Sequence, residues 1–162
     1  MADFPTIARM PGGYSDPNAA DFEPGVVKGL RTAGLMLLVF AGLQIAVWVL
    51  GAAPSIAVII DVFLGVQLLR LRHSWKLWAL VRAWAGLAFA VLSLVAVELS
   101  VPTGLGVGAQ VAYSGSLILL LTGVPSERAV LRGRVGFVLA TILFVAFVLW
   151  TVLQRAAASA TG

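Results

Sequence analysis

The chain has 162 residues, of which 60% are apolar and only 11% charged, and its mean hydropathy is +1.02. A soluble domain is about half apolar and about a quarter charged, so this composition describes a polypeptide whose solvent is largely lipid, and soluble enzyme folds are excluded. With no cysteine and one histidine, disulfides, thiol nucleophiles, thiolate metal sites and histidine clusters are excluded as well.

Residues 1–28 read as a cytoplasmic N-terminal tail, largely irregular. Pro11-Gly12-Gly13-Tyr14, Asp16-Pro17-Asn18 and Glu23-Pro24-Gly25 each disfavour a long helix. The segment lacks the basic start, apolar run and cleavage site of a secretory signal, so it is expected to stay on the chain. Phe4, Tyr14 and Phe22 are spaced apolar anchors within it. Its composition favours a disordered leader, with ordering on a partner's cytoplasmic face as the alternative.

A crossing needs about 20 predominantly apolar residues for a hydrocarbon layer of roughly 30 Å. Five segments within residues 29–155 approach that length: Leu30 to Gly51, Pro54 to Leu71, Leu77 to Leu99, Thr103 to Thr122 and Val135 to Gln154. The spacing predicts an all-α, polytopic integral membrane helix bundle of five transmembrane helices, with residues 156–162 as a short C-terminal tail. The connections are short, which makes sequential helices antiparallel neighbours.

Basic residues near span ends are retained on the cytoplasmic side. Arg9, Lys28 and Arg31 precede the first span, Arg70, Arg72, Lys76 and Arg82 flank the second turnaround, and Arg128, Arg132 and Arg134 occupy the fourth, leaving Arg155 on the other side. The N-terminus is therefore expected in the cytoplasm and the C-terminus outside. Trp48 and Trp150 near the outer ends, with Trp75 and Trp78 near the inner ends, fit interfacial aromatic belts.

Two spans are costly. In the second, eleven Ile, Val, Leu and Phe residues at about −0.3 to −0.6 kcal/mol each oppose one mid-span aspartate at about +2.5 to +3.5, and Gln67 narrows the margin. The fourth carries Gln110, Tyr113, Ser114 and Ser116 and is the weakest of the five. Without it four spans remain, and Arg128, Arg132 and Arg134 would be exported against the rule.

Asp61 is the first candidate for function, because an ionisable group near mid-membrane is a functional hypothesis by default. Its bland role is a carboxyl that holds two helices together. Ala57 and Gly65 flank it one turn away, so it should point inward. Arg82 is its candidate partner, yet side chains lean toward their own helix N-terminus and the two helices run oppositely. Arg82 is therefore expected to snorkel to the cytoplasmic interface, with direct pairing as the alternative. Counting at about 1.5 Å per residue from the outer edge places Gln44, Asp61 and Gln110 in one layer, with Tyr113 and Ser114 a turn deeper. These groups are expected to form a hydrogen-bonded knot or an outward-facing polar pocket, and Gln44, Asp61, Gln110 and Tyr113 are the candidate binding residues. Glu98 lies nearer the boundary and His73 in the basic turn, where both are solvated.

Gly104, Gly108, Ala112 and Ser116 recur every four residues and form a small-residue packing stripe, whose partner is this chain or another one. Shorter versions are Gly86-Leu87-Ala88-Phe89-Ala90 and Gly136 with Ala140. Ala41 to Val47 weakly matches Ala85 to Val91, as a parallel duplication of helix pairs would. Ser126 after Pro125 reads as an N-cap that starts a short interfacial helix, with Arg128, Arg132 and Arg134 facing anionic headgroups.

No pair of mid-span acids, Ser/His dyad or metal-binding cluster is present, so neither an enzyme nor a cofactor is expected. The helix ends Leu68-Leu69-Arg70-Leu71-Arg72 and Leu121-Thr122-Gly123-Val124-Pro125-Ser126 resemble those of small multi-pass bacterial membrane proteins, which implies no activity. Arginine outnumbers lysine, a hint of a high-GC bacterial genome and hence of an inner (plasma) membrane. The leading expectation is a non-catalytic accessory or assembly subunit of a larger membrane complex, for example of a transporter or respiratory assembly, with other membrane subunits and lipids as partners and no nucleic acid. The alternative is a small ion-coupled or solute carrier or channel in which Asp61 titrates, so that Asp61→Asn would abolish flux and leave folding intact. A scaffold that binds anionic lipid through its arginines is the third.

Overall fold

The structure is a computed structural model that describes residues 24–49, 55–72, 74–96, 100–122 and 126–160. Phe4, Arg9, Tyr14, Phe22, Gly51, Pro54, His73, Glu98 and Gly123 to Pro125 lie outside these residues, and so does nearly all of the N-terminal tail. The described residues form five helices: α1 (Pro24–Val49), α2 (Ile56–Leu69), α3 (Trp75–Ala96), α4 (Val101–Leu121) and α5 (Glu127–Ala160). No strand occurs among the described residues. Four of these helices, α1, α3, α4 and α5, are long and apolar enough to cross a bilayer, so the chain is an all-α, multi-pass membrane protein by length and composition. The short helix is α2, with 14 residues and about 21 Å of rise. The weak fourth segment folds into a 21-residue helix, so of the five predicted crossings it is the second, not the fourth, that falls short of bilayer length.

Serine caps start three of the helices. Ser55 Oγ accepts from the Ala57 N–H at 3.3 Å, Ser100 Oγ from that of Thr103 at 3.4 Å, and Ser126 Oγ from that of Ala129 at 3.2 Å. Ser126 caps as its position predicts, but no separate interfacial helix follows. The helix from Glu127 runs unbroken for 34 residues, because no proline interrupts it and its glycines are seats for neighbours. A side chain at Gly133 would meet Leu120 at 2.8 Å, and one at Gly136 would meet Ser116 Oγ at 2.5 Å. At the other end of the chain, α1 begins with Pro24 in its first turn, where a missing N–H costs nothing, and it takes up residues to Lys28.

The α2–α3 turn closes tightly. The Arg72 N–H donates to Gln67 C=O at 3.2 Å and the Leu71 N–H to Leu68 C=O at 3.0 Å, the double cap of a Schellman motif. Its left-handed position, usually glycine, is held by Leu71 with φ 55°. The half-buried leucine side chain packs on the core and offsets the backbone strain.

Successive helices alternate in direction. Gly34 on α1 lies against Gly65 and Leu69 on α2, Gly108 on α4 against Leu143 on α5, and Gly106 against Phe147. Central α4 packs α3 on one side and α5 on the other, while Phe40 of α1 stacks on its Tyr113 and meets Phe144 of α5. Leu30, Leu37, Leu68, Leu117 and Leu121 fill the core between them. An exposed Lys28–Glu127 contact of 3.5 Å puts the starts of α1 and α5 at one end of the bundle, together with the α2–α3 turn.

Candidate functional site

The second turn of α2 carries Asp61, whose side chain is 0% exposed. Arg82 on α3 meets it. The Arg82 Nη2–H donates to Asp61 Oδ2 at 3.1 Å, and Nε lies 2.9 Å from Oδ1. The Nε–H is not directed along that second contact, which is electrostatic only, so Oδ1 and Nε have no hydrogen-bond partner among the described residues.

Arg82 thus does not snorkel. Counted from the shared turn, Asp61 stands eight residues before Leu69 and Arg82 seven after Trp75, about 12 and about 10 Å of rise, so the two lie at one level. Gly86, one turn further along α3, clears the path for the guanidinium. A methyl group there would sit 3.2 Å from Arg82 Nη1 and would collide with Gln110 Nε2 and Ser114 Oγ. The side chain therefore extends over Gly86, against the usual lean of a helical residue.

Gln110 and Ser114 on α4 close this side, with the Gln110 Nε2–H donating to Ser114 Oγ at 3.2 Å. Tyr113 is 1% exposed. Its ring stacks on Phe40 with centroids 4.1 Å apart and an interplanar angle of 15°. The hydroxyl lies within the field of both Asp61 and Arg82 yet has no hydrogen-bond partner among the described residues. Gln67 Oε1 is likewise buried and unpartnered.

Two cavities end on this centre. One of about 460 Å³ lies between α2, α3 and α4, walled by Ile60, Phe89 and Val107 and reaching Arg82, Gly86 and Gln110. Another of about 290 Å³ lies between α1, α2, α4 and α5, walled by Phe40, Phe144 and Phe147 and reaching Gln44, Arg82 and Gln110. Ala57, Arg82, Gly106 and Gln110 border both. Both occupy the half of the bundle nearer the α1–α2 connection.

Of the four candidate binding residues, Gln44 and Gln110 share a cavity wall, Asp61 lies behind Arg82, and Tyr113 is packed beside them. No hydrogen bond among the described residues joins the two glutamines to the aspartate. Chemically the centre is a net-neutral ion pair with a further donor at Arg82 Nη1, two amides at the cavity walls and a buried phenol beside them. Sequence reasoning undervalued Arg82 and overlooked Gly34 and the part Gly86 plays. Counting inward from the shared α2–α3 turn instead of from the outer edge would have matched the pair.

The small-residue stripe is occupied within the chain from Gly108 to Ser116. Gly108 faces Leu143, and Ser116 with the Ala112 carbonyl faces Gly136, while a side chain at Gly104 would meet nothing within 4 Å. Arg128, Arg132 and Arg134 lie exposed on the first turns of α5. No protein-family model, no curated protein and no solved structure matches the chain.

Proposed function

We propose that the chain is a small carrier or channel without enzymatic activity, in which Arg82, Gln44 and Gln110 form the polar station met by a solute, with Asp61 and Tyr113 buried behind them. One observation carries this reading: Arg82, half of a buried ion pair, borders two cavities at once. The open volume leaves donors of the guanidinium within reach of a solute, which complete enclosure by packing would prevent, and intramembrane charges that face such a cavity mark solute or ion paths. The basic residues further support five crossings of an inner (plasma) membrane, with the N-terminus cytoplasmic and the cavities opening outward.

Reconstituted in liposomes, the protein should take up at least one member of a labelled panel of amino acids, short carboxylates and monovalent cations. Gln110→Leu, which leaves the ion pair intact, should lower that uptake about tenfold, the equivalent of one lost hydrogen bond, with unchanged helicity. A panel without uptake, or a fully active Gln110→Leu, overturns the reading.

A second reading, the accessory or assembly subunit, is supported by the length of α5. Its 34 residues extend about 51 Å, well beyond a hydrocarbon layer of roughly 30 Å, so that its exposed C-terminal turns offer a handle to another subunit. The stripe on α4 lends this reading little support, since α5 covers it from Gly108 to Ser116 and only Gly104 is open. Purification in mild detergent should then bring down a partner that is lost on truncation after Gln154.

A further inference from the structure

We propose that the crevice between α2 and α3 binds an acyl chain of an anionic phospholipid whose headgroup is held by Arg70 and Arg72. The crevice has a volume of about 550 Å³ and is lined by Ile59, Phe63, Trp75, Trp78, Val81 and Ala85, with the Arg82 stem at its back. It exists because α2 and α3 are splayed: they meet at the Asp61–Arg82 pair and where Phe63 stands edge-on to Trp75, centroids 5.0 Å apart. A helix about 10 Å across fills about 800 Å³ for each 10 Å of its length, so the crevice cannot enclose a partner helix, whereas its volume accommodates a flexible hydrocarbon chain.

The basic end of the crevice supplies the charge. The Trp75 backbone N–H donates to the Arg72 carbonyl at 3.1 Å, so the capped turn carrying Arg70 and Arg72 directly adjoins the aromatic wall. Both arginines are exposed, and neither forms an ion pair among the described residues. The shortness of α2, about 21 Å against a hydrocarbon layer of roughly 30 Å, draws headgroups toward its ends. Phosphate oxygens then meet two guanidiniums while the chain below them enters the apolar slot.

The test uses Trp48→Phe/Trp84→Phe/Trp150→Phe protein, which leaves Trp75 and Trp78 as reporters, in nanodiscs of phosphatidylcholine and phosphatidylglycerol. At equal mole fraction, phosphatidylglycerol with brominated acyl chains should quench the fluorescence at least about twofold more than brominated phosphatidylcholine, an anionic preference expected to weaken with salt. Arg70→Gln/Arg72→Gln should make the two lipids equal, and Ala85→Phe should reduce quenching by both. Equal quenching in the parent protein, or a preference that survives loss of both arginines, overturns the proposal. So does protection of both tryptophans from either lipid by a second protein copy. Native mass spectrometry of the unsubstituted protein gives an independent check, with phosphatidylglycerol retained in preference to phosphatidylcholine.

Discussion

Asp61 and Arg82 hold each other where neither is tolerated alone. Removing one partner of a buried pair leaves an uncompensated charge or an unmatched donor fork at a cost of about 3–5 kcal/mol. Asp61→Asn and Arg82→Gln should each destabilise the protein by that order in detergent unfolding, and the double variant should recover a substantial part of the loss. If the double variant's loss equals the sum of the two single losses, the pair is not coupled. The same argument alters what Asp61→Asn can report, because a substitution expected to abolish flux and spare folding would strike the fold as well. Gln110 and Gln44, which border the cavities without holding helices together, are the cleaner probes. Gly86 belongs with the pair: Gly86→Ala would displace the ends of the Arg82 and Gln110 side chains and the Ser114 hydroxyl, and because no backbone atom is in the way, uptake should fall more than the yield of folded protein.

At the level of the helices, glycines divide by what a methyl group would meet. At Gly34 the nearest atom is the Gly65 carbonyl oxygen at 2.9 Å, a backbone atom with little freedom to move, so Gly34→Ala should loosen the α1–α2 crossing and lower the unfolding midpoint. At Gly104 the space is open, and Gly104→Ala should be neutral or stabilise by up to about 1 kcal/mol through helix propensity. Equal effects at the two positions would contradict the packing described. Ser126→Ala removes the cap of α5 and should cost about 1 kcal/mol, read as faster amide exchange over its first turn. Leu71 shows the opposite logic, since its left-handed backbone is held by side-chain packing. Leu71→Gly is therefore expected to relieve strain and lose contact in comparable amounts.

For the molecule as a whole, the arrangement of basic residues makes a single topological prediction. Reporter fusions should place an N-terminal tag in the cytoplasm and a tag after Ala160 on the far side. Both tags in one compartment would mean that short α2, or another helix, does not cross, and the proposed outward opening of the cavities would lose its basis. The Lys28–Glu127 contact is too exposed to hold the bundle closed, so its removal should leave stability unchanged.

Composition and periodicity by themselves determined the helical class, the approximate position of each helix, the alternating course of the chain and the serine that starts α5, because each depends on local apolar length, charge placement or capping chemistry. Asp61 and the small-residue stripe were legible as features, but their neighbours were not. Tertiary structure decided that Arg82 turns inward over Gly86, that α5 covers the stripe from Gly108 to Ser116, that α2 is the short helix, and that two cavities meet at one guanidinium. Those outcomes depend on how helices distant in sequence approach one another, and a glycine on one helix decides that approach only through the atom that another helix brings against it.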